Sequence, residues 1–105
     1  MKYFSIYTTL PDENITQNIA DILIKERLVA CVNYFPIKSI YRWKGKIEKD
    51  DEYAIIMKSK RSLYPVLENR LKELHPYKIP AIVTYKIEKG LDEYLFWIEG
   101  ETKRK

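Results

Sequence analysis

Residues 28–60 decide the fold of this chain, and they read LVACVNYFPIKSIYRWKGKIEKDDEYAIIMKSK. Two runs rich in β-branched and aromatic residues flank Lys44 and Gly45, which predicts a β-hairpin because Gly45 can adopt the positive φ of a tight turn. Lysine suits the first turn position less well than asparagine or aspartate, so a two-residue turn and a three-residue turn with a bulge both remain open. The sequence therefore predicts the hairpin but not its register.

The two arms of this hairpin are unusually long. Each has about 14 residues and spans roughly 45 Å, whereas a compact domain of about 100 residues has a radius of gyration near 13 Å. The arms therefore overshoot the domain, yet their turn end carries the apolar and aromatic side chains Ile40, Tyr41, Trp43 and Ile47. Such side chains on a protruding ribbon need a partner surface, which predicts a homo-oligomer.

An alternative interpretation requires no partner. Proline cannot donate to a strand ladder and is confined to sheet edges and bulges. If Pro36 breaks the first arm, two shorter strands pack within one chain and no oligomer follows.

The remaining segments alternate strand and helix patterns around the hairpin. Residues 1–9 predict a strand, and residues 12–27 predict an amphipathic helix that begins at Asp12. Residues 81–87 predict another strand, and the apolar spacing after Gly90 predicts a short helix that ends at Gly100.

Between the hairpin and the last strand, leucines recur at helical spacing. We predict a second helix with Ser62 as its N-cap and Pro65 in its first turn, where a missing N–H costs little. This helix ends at His75, because Pro76 disfavours the helical conformation in the residue before it.

The order β-α-β-β-α-β plus a terminal helix predicts an α+β fold, the ferredoxin-like split βαβ sandwich, as one domain over residues 1–105. Two helices cover one face of an antiparallel sheet in this fold. The other face needs cover from the terminal helix or from neighbouring subunits.

Composition and charge narrow the classes of function. The chain is 46% hydrophobic with a net charge of +4, and the last three residues carry three of the positive charges. We interpret this tail as a solubilising end, not a nucleic-acid arm.

No membrane-length apolar stretch or secretory signal is present and there is a single cysteine, so we expect a cytoplasmic protein without a membrane partner.

Aromatic residues on the hairpin raise the possibility of nucleic-acid binding. Tyr41, Arg42 and Trp43 could stack on bases. However, the glycine-flanked basic and aromatic signature of an RNA-recognition motif is missing. Packing at a protein interface explains the same residues better, so we expect no nucleic-acid partner.

Few residues offer catalytic or metal chemistry, and no catalytic motif is present. Cys31 and His75 could form a nucleophile–base pair, but a mid-strand cysteine usually acts as a small hydrophobe. As metal ligands, Cys31 and Met57 suit cuprous copper, and His75 suits copper or zinc. In the alternative, both sulfur residues belong to the core and His75 only ends a helix. Two prolines, Pro76 and Pro80, bracket a stiff loop that contains Tyr77 and follows His75 directly. This loop is either functional or a connector.

Several of these segments resemble the CutA family of divalent-cation tolerance proteins. The resemblance spans nearly the whole chain and includes the segments 8–12 (TTLPD), 27–33 (RLVACVN), 39–47 (SIYRWKGKI), 75–77 (HPY) and 94–98 (YLFWI). It implies a ferredoxin-like homotrimer built through long hairpins, similar in architecture to the nitrogen-regulatory PII proteins. It also implies a non-enzymatic role in tolerance of copper or other divalent cations, with no metal required for folding.

The resemblance also implies a binding site in the cleft between subunits. We expect the ligand-binding residues of this cleft to be Tyr41, Trp43, Lys58, His75 and Tyr77. Cys31 and His75 are the candidate metal ligands. One residue departs from the family, which usually has an acidic residue directly after His-Pro-Tyr, where this chain has Lys78. The alternative is a PII-like signalling or scaffold trimer that binds a small anion through Lys58 and Lys78.

Overall fold

The computed structural model describes residues 2–104 and contains four strands and three α-helices in the predicted order. Met1, with which the first predicted strand begins, and Lys105 of the basic tail lie outside the described residues. The elements are β1 (Tyr3–Leu10), α1 (Glu13–Lys25), β2 (Cys31–Trp43), β3 (Lys46–Lys60), α2 (Tyr64–Leu74), β4 (Val83–Ile87) and α3 (Asp92–Glu101). Among the described residues, no helix combines the length and the apolar character needed to cross a bilayer.

The strands form one antiparallel sheet in the order β2-β3-β1-β4, which confirms the ferredoxin-like fold. Because side chains alternate along a strand, one set faces α1 and α2 and forms the core. This core includes the fully buried residues Phe4, Ile6, Leu10, Leu23, Ile55, Met57, Leu67 and Leu71.

A two-residue turn joins the arms of the hairpin. Lys44 and Gly45 have φ values of 51° and 79°, the pair of positive angles that defines a type I′ turn. The ladder then runs without interruption from the Trp43–Lys46 pair to the Cys31–Lys58 pair. The three-residue turn with a bulge is therefore wrong, and the register that the sequence left open is fixed.

Pro36 does not break the first arm. β2 continues through it for 13 residues, with Pro36 opposite Tyr53, and β3 has 15 residues. β2 tolerates the proline because it is an edge strand, where one side of the backbone has no neighbour in the sheet. The long arms are confirmed, and they give the chain a largest dimension of 44 Å.

The helix boundaries differ from the predictions at several points. Asp12 caps α1 as predicted, because its Oδ1 atom accepts the backbone N–H of Ile15 at 2.9 Å. Ser62 is not the N-cap of α2 and lies inside a 3₁₀ helix, Arg61–Leu63, through which β3 runs directly into α2. Gly100 does not end the last helix, which continues to Glu101. β4 begins two residues later than predicted.

The sheet face opposite α1 and α2 is only partly covered within one chain. α3 lies at one end of this face, where its Ile98 is fully buried and its Glu99 carboxylate pairs with Lys60 at 3.1 Å. Apolar side chains remain exposed elsewhere on the face and on α3, and these are Phe35, Val83, Tyr85, Tyr94, Phe96 and Trp97.

Two glycines test the backbone requirement of the hairpin turn. A Cβ atom at Gly45 or at Gly100 meets nothing within 4 Å, so alanine fits sterically at both positions. We expect Gly45→Ala to lower the free energy of unfolding by about 1–2 kcal/mol, because its φ is positive. Gly100→Ala, in a helix, should raise it by about 0.5 kcal/mol. Urea unfolding at equal protein concentration measures both, and equal effects of the same sign would contradict this account of the turn.

Candidate functional site

The loop after α2 is held by the ring of His75. This residue ends α2 with an extended ψ of 131°, as Pro76 requires, and it is 8% exposed. Its Nδ1 atom accepts the backbone N–H of Tyr77 at 3.2 Å, which assigns the ring proton to Nε2. Nε2 then donates to the hydroxyl of Thr8 at 2.9 Å. Both ring nitrogens are therefore engaged within the chain.

Tyr77 extends this network to a buried carboxylate. Its hydroxyl donates to Oε2 of Glu52 at 2.6 Å, and Glu52 is only 7% exposed. Burial, together with this hydrogen bond, raises the pKa of Tyr77 well above its usual value, so the phenol remains a donor. The rings of His75 and Tyr77 lie 5.0 Å apart. The predicted His-Pro-Tyr loop is thus fixed to β1 through Thr8 and to β3 through Glu52.

A second phenol–carboxylate pair lies beside the first. The hydroxyl of Tyr41, on β2, donates to Asp50, on β3, and this hydrogen bond is the main cause that raises the pKa of Tyr41 to about 12. Asp50 and Glu52 share one face of β3, because they are two positions apart. The charge of Asp50 also contributes to the raised pKa of Tyr77. The structure therefore brings together three predicted cleft residues, Tyr41, His75 and Tyr77, around two carboxylates.

Cys31 lies in a different environment, at the start of β2. It is partly exposed, and its Sγ atom is 3.4 Å from the hydroxyl of Tyr94 on α3. Burial and this contact with the thiol raise the pKa of Tyr94 to about 12. Lys58 pairs with Cys31 across the ladder, and its ammonium lies 5.9 Å from the centre of the Tyr94 ring. The prediction that Cys31 belongs to the core is wrong, whereas Met57 is fully buried.

Cys31 and Thr8, the partner of His75, lie on opposite faces of the sheet. Cys31 and Lys58 share their face with Ser5 of β1, whereas Thr8 is three positions further along that strand, on the face that α1 and α2 cover. Cys31 and His75 therefore form neither a nucleophile–base pair nor a metal site within one chain. Glu52 and Asp50 lie on the face of Lys58, because they are six and eight positions from it along β3. Among residues 2–104, no three His, Cys, Asp or Glu side chains lie close enough to share a metal ion.

Trp43 is also separate from the rest of the predicted cleft. It lies next to the hairpin turn, where the ammonium of Lys44 is 5.8 Å from its ring centre. Its ladder partner, Lys46, is 12 residues from Lys58 along β3, which is roughly 40 Å. A single cleft that contains both Trp43 and Lys58 would therefore need more than one chain.

Sequence reasoning missed four residues that complete these groups. Glu52 and Asp50 belong to the charged run 48–52 (EKDDE) within β3, and a charged run inside a strand could have marked them as partners of nearby donors. Thr8 and Tyr94 gave no such signal, because Thr8 contacts His75 across 67 positions and Tyr94 contacts Cys31 across 63.

The antiparallel sheet with two helices on one face defines a ferredoxin-like α+β protein, in which the loop that contains His75 and Tyr77 is fixed to β1 and β3. A family model described as CutA1 divalent ion tolerance protein matches residues 4–101. The chain belongs to this CutA1 divalent ion tolerance family.

Individual relatives agree with this assignment. The Divalent-cation tolerance protein CutA of Pyrococcus horikoshii is 41% identical over 99 residues, which cover 94% of this chain and 97% of that protein. The crystal structure of CutA1 from Oryza sativa superposes with a TM-score of 0.96 at 33% identity, covering 100% of this chain and 97% of that one. A structure from Archaeoglobus fulgidus, described as a periplasmic divalent cation tolerance protein CutA, gives a TM-score of 0.93 at 39% identity. The superposition covers 96% of this chain and 99% of that one.

The hydrogen bond between Tyr77 and Glu52 makes a testable contribution to stability. Tyr77→Phe leaves the buried carboxylate without its donor, and we expect the free energy of unfolding to fall by about 1–3 kcal/mol. Tyr85→Phe is the matched control, because Tyr85 is 58% exposed and its change should stay within about 0.5 kcal/mol. Urea unfolding measures both, and equal losses in the two variants would contradict the role of the Glu52 contact.

The buried imidazole predicts a pH dependence of stability. Burial lowers the pKa of His75 below 6.5, so the unfolded chain takes up this proton before the folded chain does. We therefore expect the free energy of unfolding to decrease as the pH falls from 6.5 to about 5. Because the chain has one histidine, His75→Gln should remove this slope. An equal slope in the variant and the parent protein, measured by urea unfolding at each pH, would refute the assignment.

Proposed function

We propose that this chain functions in tolerance of divalent metal ions, as a non-enzymatic homotrimer with its binding site between subunits. The observation that carries this proposal is the family match over residues 4–101, joined by relatives that are named divalent-cation tolerance proteins. Direct binding of metal, with copper as the preferred ion, is the mechanism that we propose first.

The surfaces of the single chain support an oligomer. β2 is a 13-residue edge strand whose outer side has no neighbour in the sheet. The partly covered sheet face carries exposed apolar groups such as Phe35 at 44% and Tyr85 at 58%. Exposed apolar surface of this kind usually belongs to an interface. Three copies is the number that the family resemblance implies.

The donor chemistry of Cys31 supports copper. A thiolate is a soft ligand that suits Cu(I), and this sulfur is partly exposed and forms no disulfide. One described chain offers no cluster of three ligands, so neighbouring subunits would complete the coordination. His75 could join only if it released Thr8 or the backbone of Tyr77, since both nitrogens are engaged.

One observation favours a second candidate function, the binding of a small anion in the same cleft by a PII-like signalling or scaffold trimer. The ammonium of Lys58 lies beside Cys31 and would repel a metal cation there, while it would attract an anion. Lys78 is exposed in the loop that His75 fixes and adds a second positive charge.

We also propose a cytoplasmic location without nucleic-acid or membrane partners. The Archaeoglobus fulgidus relative is described as periplasmic, so fractionation of the native host is the direct measurement of location.

Anaerobic calorimetric titration with Cu(I), and separately with Cu(II) and Zn(II), tests metal binding. We expect saturable binding of Cu(I) at a fixed ratio per chain, and we expect Cys31→Ser to abolish it. Met57→Leu is the matched control, because it removes a buried sulfur at nearly constant volume. His75→Ala tests whether the imidazole contributes to the site.

The same samples in sedimentation equilibrium should give three times the chain mass of 12.6 kDa. Weak, unsaturable titrations that are identical in all variants would contradict metal ligation. A monomeric mass would contradict a site between subunits, whether its ligand is a metal ion or a small anion.

A further inference from the structure

A surface cavity unrelated to the groups above lies where the first and third strands meet the start of α2. Its volume is about 510 Å³, and it is lined by Lys2, Lys60, Arg61, Ser62, Pro65 and Glu99. Cavities of roughly 300–1,000 Å³ hold small-molecule ligands in other proteins. This cavity is therefore large enough for a ligand bigger than a single ion.

The cavity concentrates positive charge. Three of its six lining residues are cationic and only Glu99 is anionic, so its formal charge is +2. By contrast, the whole chain has a net charge of +4, to which its last three residues contribute three positive charges. The cavity is thus a positive site on an otherwise nearly neutral body.

One of these cations is held in place within the structure. Lys60 is 7% exposed, which is unusual for lysine, and its Nζ atom donates to Oε2 of Glu99 at 3.1 Å. Glu99 also accepts from the hydroxyl of Tyr3 at 3.3 Å and lies 3.8 Å from Nζ of Lys2. An ammonium group has three donors, so Lys60 retains capacity for a ligand while Glu99 fixes its position.

The N-terminus of α2 adds to the positive potential near this cavity. The 3₁₀ helix Arg61–Leu63 leads into it. In the described part of the chain, no side chain caps the start of α2 and no acidic residue occupies its first turn. The backbone N–H of Arg61 donates to the carbonyl of Lys2 at 2.8 Å, which fixes the turn against β1. The partial positive charge of a helix start favours anions.

We propose that this cavity binds a small anion of the phosphate class, such as a diphosphate or a phosphorylated small molecule. Lys60 supplies the fixed ammonium, and Arg61 supplies a planar guanidinium that suits two phosphate oxygens. Lys2 lies at the exposed rim, and Glu99 competes with the ligand for the same cations. This site is independent of the proposed function, because it shares no residue with the predicted cleft.

Calorimetric titration with pyrophosphate, and separately with inorganic phosphate, tests this site. We expect saturable binding of pyrophosphate at one per chain, weakened by added salt. Arg61→Gln should weaken it by roughly tenfold, since it removes a charge-assisted contact. Glu99→Gln should strengthen binding, because it removes the competing carboxylate. Lys49→Gln is the matched control for Arg61→Gln, because it removes the same charge. Lys49 lies on β3, 11 positions before Lys60 and away from the cavity.

The opposite signs expected for Arg61→Gln and Glu99→Gln separate a lost contact from a damaged fold. Equal weakening in Arg61→Gln and Lys49→Gln would reduce the effect to net charge and overturn the proposal. Loss of binding in Lys58→Gln with no change in Arg61→Gln would move the anion to the predicted cleft and would also overturn it. Titrations with pyrophosphate that do not saturate in the parent protein would also overturn the proposal.

Discussion

The pairing of β2 with β3 is the constraint on which the rest of this structure depends. The two-residue turn at Lys44 and Gly45 fixes this ladder, and a slip of one residue would transfer every side chain to the other face. The register brings Cys31 opposite Lys58, and it positions Tyr41 on the face of Asp50 and Glu52. It also leaves Ile55 and Met57 on the face that the helices cover. One turn thus determines both the core and the composition of the two candidate groups.

The loop that contains His75 and Tyr77 is ordered by contacts within its own chain. Thr8 and Glu52 hold its two polar side chains, and each contact crosses from the loop to a different strand. A ligand that used His75 would first have to replace one of these hydrogen bonds. Cys31, by contrast, is partly exposed and therefore accessible to a ligand. Its neighbour across the ladder is a lysine, Lys58. Pre-organisation therefore favours the loop as a fixed wall of a site, and accessibility favours Cys31 and Lys58 as the groups that meet a ligand.

Local sequence signals predicted most of the fold, because they act over a few residues. Asp12 started a helix, Pro76 ended one, and Gly45 marked the turn. Ser62 misled the prediction because a 3₁₀ turn satisfied the helix start through the backbone, which no side-chain signal reveals. The site was predicted less completely. Its key contacts, such as Thr8 with His75 and Cys31 with Tyr94, join residues more than 60 positions apart. Such pairs depend on sheet order, which the spacing of residues along the chain does not specify.

The sheet order also has a consequence for how the protein is made. β1 leaves the ribosome before the other described strands, but it lies between β3 and β4, and its Tyr3 pairs with Lys60 and with Ile87. At synthesis rates of about 5–20 residues per second, Tyr3 waits about 4–17 seconds for Ile87 to appear. Throughout this interval the apolar Phe4 and Ile6 have no completed sheet to enter. The first strand of the nascent chain therefore cannot complete its pairing on both sides until nearly all of the domain has been synthesised.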